Sequence, residues 1–149
     1  MFINMLVFSL LCVFVLGQND PIATKDVLGI GSMQSAAVSG RLICNGRPAV
    51  DVKLKLYENE IFFDRLMEEG RTDSNGQFRV LGSKREITTI DPKLNVYHKC
   101  NYNGLCDQKF TIHIPKDYVT SGSQPSRTFD IGTLNLANNF PGQSTDCLN

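Results

Sequence analysis

The stretch "VDVKLKLYE", Val50 to Glu58, alternates apolar and polar residues without a fault: Val50, Val52, Leu54 and Leu56 against Asp51, Lys53 and Lys55. A helix would scatter those apolar side chains around its axis, whereas a strand puts them all on one face. Period two over that length predicts a half-buried strand of an antiparallel sheet. The pattern recurs. "QFRVLG" sets Phe78 with Val80, "KLNVYH" sets Leu94 with Val96, and "KFTIHI" sets Phe110, Ile112 and Ile114 opposite Thr111 and His113. Turn chemistry separates these runs: Asn45-Gly46-Arg47-Pro48, Ser74-Asn75-Gly76 and Asn103-Gly104 hold residues that accept positive φ or preset a reversal. Only "ENEIFFDRLMEEG", Glu58 to Gly70, has the i, i+4 spacing of a helical turn, through Ile61, Arg65 and Glu69. Short strands spaced by turns predict an all-β, Greek-key sandwich of about seven to eight strands.

The N-terminus sets the compartment. Residues 1–17 read MFINMLVFSLLCVFVLG, an uncharged apolar run too short to span a bilayer, followed at once by polar QND. That pattern predicts a secretory signal cleaved near Gly17. Residues 18–33 mix Gly, Pro, Asp and small residues and read as a flexible leader, which leaves 34–149 as the folded domain. The exported chain, of about 130 residues, is enough for one domain with a real core. No second apolar run approaches membrane-spanning length. Lys+Arg and Asp+Glu are 15 each, a balance that argues against nucleic acid as a partner and against a polybasic membrane anchor.

Export also decides how cysteines are read. Cys12 leaves with the signal, and Cys44, Cys100, Cys106 and Cys147 remain. An even number in a secreted domain predicts two disulfides. Cys100 and Cys106 flank "NYNGL" at the facing ends of two predicted strands, so a Cys100–Cys106 bridge is the preferred pairing, with Cys44–Cys147 closing the long loop. The order His98, Cys100, Cys106, His113 also contains zinc-ligand types. Five residues separate the cysteines, however, where two to four separate structural zinc pairs, and alternation places the two histidines on opposite faces. No metal site is expected.

Catalytic patterns are missing as well. Bridged cysteines cannot supply a thiolate nucleophile, and no G-x-S-x-G elbow accompanies the two histidines. "TDSNGQF" holds a fragment of a calcium loop, but the twelfth position from Asp73 is Lys84, where a bidentate Glu would be needed. Glu58, Glu60, Asp64, Glu68 and Glu69 read as a solvated acidic loop rather than an acid/base pair. Beside them stand Phe62 and Phe63. Two adjacent aromatics cannot both enter one core face, so one is expected to cap the sandwich while the other stays partly exposed for recognition.

Taken together, "VSGRLICNGRPAVDVKLKLYE", "EEGRTDSNGQF", "TTIDPKLNVYHKC", "QKFTIHIP" and "FDIGTLNLANNFPGQSTDC" resemble the nematode transthyretin-like family of small secreted proteins. The likeness runs from Gln34 to Cys147. It implies a prealbumin-like sandwich with cysteines that are framework rather than chemistry. Hydroxyisourate hydrolases share that sandwich, but the histidines and C-terminal motif they use have no match here, so catalysis, a cofactor and that substrate class are not expected. The expected function is recognition, as an adaptor or signal binding an extracellular protein or lipid head group. The alternative is carriage of a small apolar ligand. A homodimer paired through edge strands is a further expectation. N-terminal sequencing of the exported protein is expected to begin at about Gln18; a chain retaining Met1 would sink the secretory reading.

Overall fold

The computed structural model describes residues 31–149. The predicted signal, Cys12 and positions 18–30 of the predicted leader lie outside the described residues. Ten strands follow: β1 Ser32–Cys44, β2 Arg47–Pro48, β3 Lys53–Glu58, β4 Arg65–Arg71, β5 Gln77–Glu86, β6 Pro92–His98, β7 Asp107–His113, β8 Thr120–Ser121, β9 Phe129–Asn135 and β10 Ser144–Asp146. A single 3-10 turn, Lys116–Tyr118, interrupts them. Seven strands have six residues or more, and β2, β8 and β10 are short additions. Ser32 and Met33, assigned to the leader on composition, are the first residues of β1 and pair with Glu86 and Arg85.

Two sheets form. In the first, β1 is the centre: β5 runs antiparallel along one edge, β2 continues that edge as a hairpin, and β8 and β9 line the other. The β1–β9 pairing is parallel, and the others are antiparallel. The second sheet has the order β10-β7-β6-β3-β4. Val38, Leu42, Phe78 and Val80 from the first sheet meet Leu54, Leu56, Leu94, Val96 and Phe110 from the second in one buried cluster. The predicted alternation is therefore the core itself. Each fully buried aliphatic side chain in it contributes about 1.5–3 kcal/mol.

The turn signals act unequally. Asn45-Gly46 makes a two-residue hairpin, with Cys44 opposite Arg47 and φ of 52° and 79°, the primed geometry that matches strand twist. Val50 departs from expectation: it sits in a turn with Asp51 at φ 60° and is 56% exposed, so β3 starts at Lys53. Segment 58–70 forms no helix. Glu58 ends β3, Arg65–Arg71 is β4, and residues 59–64 are the hairpin loop between them. Satisfying the edge of β3 with a ladder, whose register slips once between Leu56 and Tyr57, outweighs a weak i, i+4 pattern.

All four described cysteines are bridged, but the pairing differs from the preferred one: the bonds are Cys44–Cys100 and Cys106–Cys147. Continuing the β6–β7 register would set Cys100 opposite Cys106. The strand ends first. The chain leaves the ladder after His98, turns with the Tyr102 amide donating to Lys99 carbonyl oxygen, and reverses at Asn101, φ 53°, rather than at Asn103-Gly104. Cys100 is thereby delivered to the end of β1, and the bridge ties the two sheets together. Beside it the Asn45 and Asn101 side-chain amides exchange reciprocal hydrogen bonds of 2.6 and 3.1 Å. Cys106–Cys147 continues the β7–β10 register, in which Asp146 faces Asp107. With sequence separations of 56 and 41, each bridge is worth about 4 kcal/mol as an upper figure in the chain-entropy model. Peptide mapping of the non-reduced protein is expected to recover Cys44 linked to Cys100 and Cys106 linked to Cys147; a Cys100–Cys106 peptide would contradict the fold.

Candidate functional site: an apolar hairpin tip on a charged base

The β3–β4 loop is fastened at its base. Glu58 continues the core parity of Leu54 and Leu56 and is only 6% exposed. Its carboxylate accepts the Asp91 amide at 2.9 Å. Burial nevertheless pushes that carboxyl above the ordinary carboxylate value, with the nearby Glu86 charge adding to the rise. The Asn59 amide donates to Asp91 carbonyl oxygen, and its side chain both donates to the Asp91 carboxylate and accepts from Lys93. Lys93 also pairs with Asp64 at 2.8 Å. On the other flank Glu60 pairs with Arg65 at 2.9 Å and with Lys84, which also holds Glu86. The Lys84 hydrogen bond keeps the Glu60 carboxyl below its usual range.

This clamp corrects the picture of a solvated acidic loop. Glu58 is buried, Glu60 and Asp64 are ion-paired, and Glu68 and Glu69 belong to β4, Glu69 lying 4.0 Å from Lys55. Sequence adjacency grouped five carboxylates that the hairpin distributes over two strands and a turn.

Beyond the clamp, Ile61 is 94% and Phe62 91% exposed. Phe63 is 55% exposed and lies under the Arg65 guanidinium, 5.0 Å from its ring centroid. Neither phenylalanine caps the sandwich, contrary to expectation, because the polar base holds residues 61–63 past the sheet ends. Exposed Leu66 is the second residue of β4, next to them. Exposed Ile87 follows β5 at the same end, where Glu58 and Asn59 meet Asp91. The hairpin tip and its neighbours therefore leave several large apolar side chains in water at one end of the sandwich.

The two histidines are far apart in role. His98 packs edge-on to Phe110 in the core, with ring centroids 5.9 Å apart, and is 4% exposed. Its Nδ1 accepts the Cys100 amide at 3.1 Å, so the neutral ring carries its proton on Nε2, which has no partner among the described residues. Burial lowers its basicity, and the Asp107 charge opposes that. His113 is exposed on the opposite face. With both disulfides formed, the His-Cys-Cys-His series cannot enclose a metal.

Sequence reasoning missed a polar network on the outer face of the second sheet. Asn95 and Tyr97 are 6% and 4% exposed there, with Asn95 donating to the Tyr97 hydroxyl at 3.3 Å and accepting from Thr111 at 2.7 Å. Lys55 lies over the Tyr97 ring. Their parity placed them outward; only the register of three neighbouring strands shows that they cover one another.

A two-sheet β-sandwich with one bridge between the sheets and another at its last strand is the class of domain these elements define. The family model described as TTR-52: Transthyretin-like family matches residues 39–115. Transthyretin-like protein 5 of Caenorhabditis elegans is 50% identical over 123 residues, covering 80% of this chain and 88% of that protein. Transthyretin-like proteins 2 and 33 of the same nematode are 43% and 46% identical, covering 80% and 77% of this chain and 86% and 82% of theirs. The chain belongs to the transthyretin-like family.

Two buried groups contribute to the pH response with opposite signs. The unfolded His98 ring takes a proton as pH falls through about 6.5, while the buried ring resists. Its contribution is therefore present above that pH and lost as pH falls below it. Glu58, raised in the fold, favours the folded state at low pH and loses that as pH rises through its folded value. Glu58→Gln is expected to raise the melting temperature at pH 7. In that background stability falls from pH 7.5 to 5.5, and adding His98→Gln flattens the fall. Calorimetry finding the same slope with and without His98 would contradict this assignment.

Proposed function

We propose that this chain is a secreted, non-enzymatic recognition protein, an adaptor or signal, which docks an extracellular partner on the Ile61–Phe63 tip. The carrying observation is the tip itself: Ile61 and Phe62 more than nine-tenths exposed, on a hairpin base fastened by ion pairs from both flanks. A prepaid, rigid anchor loses little freedom on binding, which is what an interface hot spot needs. The partner chemistry is a cell-surface protein or a lipid head group. Two disulfides suit an oxidising compartment, and no helix of the described residues is long and apolar enough to cross a membrane. The non-enzymatic reading draws on the four bridged cysteines and on the separation of buried His98 from exposed His113.

Pairing of two copies through a strand edge belongs to the same proposal. Strand β10 covers only Asp107–Lys109, so Thr111–His113 of β7 has no neighbour on that side among the described residues. The other sheet is blunted at β9, where the register slips opposite Gly40.

The test is binding of labelled, oxidised mature protein to cell surfaces and to phospholipid vesicles. Phe62→Ser with Phe63→Ser is expected to reduce binding at least about tenfold, the loss of one or two aromatic anchors, while the melting temperature stays unchanged because neither ring is in the core. Undiminished binding by the double variant would remove the tip from the account.

A further inference from the structure

A second surface is independent of the hairpin tip. The outer face of the first sheet carries an open groove of about 660 Å³. Core parity in β1 and β5 buries Val38, Leu42, Phe78 and Val80, so Ser39, Arg41, Gln77 and Arg79 face outward. The register sets them in two rows across three strands: Arg79, Ser39, Asp130 and then Gln77, Arg41, Thr133. At ordinary strand spacing that patch measures roughly 10 by 7 Å.

Three of its charges, on Arg41, Arg79 and Asp130, have no ionic partner among the described residues. Arg41 donates through Nε to the Asn75 carbonyl oxygen at 2.9 Å, which aims the guanidinium and leaves its two terminal nitrogens open. The turn giving that carbonyl is itself fixed, since Asp73 accepts the amides of Asn75 and Gln77. Among the described residues Arg79 reaches only the Thr128 hydroxyl, at 3.4 Å. The third arginine of the groove, Arg71, is paired with Asp51 at 3.5 Å. Among the described residues neither Arg41 nor Arg79 has a carboxylate partner, and Asp130 has no cation. Asp130 is instead held by the bulge: it accepts the Gly132 amide at 2.9 Å, with Gly132 at φ 70°, a conformation that favours glycine. Ser39 lies between Arg79 and Asp130 and keeps the two charges a strand apart.

We propose that this groove binds an acidic carbohydrate, a sulfated or uronic-acid sugar. The Arg41 and Arg79 forks receive the sulfate or carboxylate, for which a planar guanidinium is geometrically suited. A sugar hydroxyl donates to Asp130. Ser39, Gln77 and Thr133 each both donate and accept, which fits a ligand dense in hydroxyls better than one with apolar side chains to bury. The groove is open along the sheet, as an extended chain requires. The whole chain has formal net charge +0, so retention of a polyanion would come from local arrangement rather than from general attraction.

The test is calorimetric titration of the oxidised mature protein with a heparin-derived hexasaccharide, its desulfated counterpart, a phosphopeptide and inorganic sulfate. Saturable binding of the hexasaccharide is expected, weakened about tenfold or more by Arg41→Gln with Arg79→Gln and several-fold by Asp130→Asn, each pair or site being a charge-assisted contact. The Phe62→Ser, Phe63→Ser variant keeps full sugar binding, which separates this site from the hairpin tip. Arg79→Gln alone, at an exposed position, guards against disturbance of the Arg41 turn, and melting curves confirm folding. Absence of wild-type binding, affinity unchanged in the folded arginine variants, or equal affinity for the phosphopeptide or for inorganic sulfate would each overturn the proposal.

Discussion

Strand β1 is the constraint on which the rest depends. Its thirteen residues carry the ladders of β2, β5, β8 and β9, so every strand of the first sheet is hydrogen-bonded to it. A central strand of that kind must satisfy both of its edges while burying one face, and "SAAVSGRLIC" does so with small residues where neighbours crowd and Val38 and Leu42 where the second sheet arrives. Its end delivers Cys44 to Cys100, so the element that organises one sheet also pins the other.

The two surfaces follow from how the strands end and how they pair. At one end the second sheet closes through a hairpin whose base is polar and paired, and whose apolar tip therefore has nowhere to fold back. On the outer face of the first sheet, a bulge in β9 advances Asp130 and Thr133 relative to β1 and lines them with two arginines. Ion pairing is used in opposite ways. It is saturated at the hairpin base, where rigidity is the outcome, and withheld in the groove, where charge stays available to a ligand.

Much of the fold was legible because periodicity reports burial directly. Leu54, Leu56, Phe78, Val80, Leu94, Val96 and Phe110 were all placed by alternation and are all in the core. Alternation does not report where a strand starts: Val50 continues the period of β3 although Asp51 turns the chain. Nor does it decide between cysteines equidistant in register: continuing β6–β7 would set Cys106 opposite Cys100, continuing β7–β10 sets it opposite Cys147, and only the early turn at Asn101 selects the partner. The candidate sites divide similarly. Phe62 and Phe63 stand out in the sequence as adjacent aromatics in a polar stretch, yet their shared exposure depends on contacts from Asp91, Lys93 and Lys84, distant in sequence. Arg41, Arg79 and Asp130 show nothing alone and become a set only through register.

The order of the bridges has a consequence for how such a domain would withstand its surroundings. They are sequential, 44 to 100 and then 106 to 147, rather than nested, and the protruding Ile61–Phe63 tip falls inside the first interval. A protease that cut the chain at that tip would release no fragment: both halves stay joined through Cys44–Cys100 and through the shared sheets. Such a nick would pass unseen by size in the oxidised protein and emerge only after reduction, so the molecule can lose the continuity of its most accessible loop and still travel as one body.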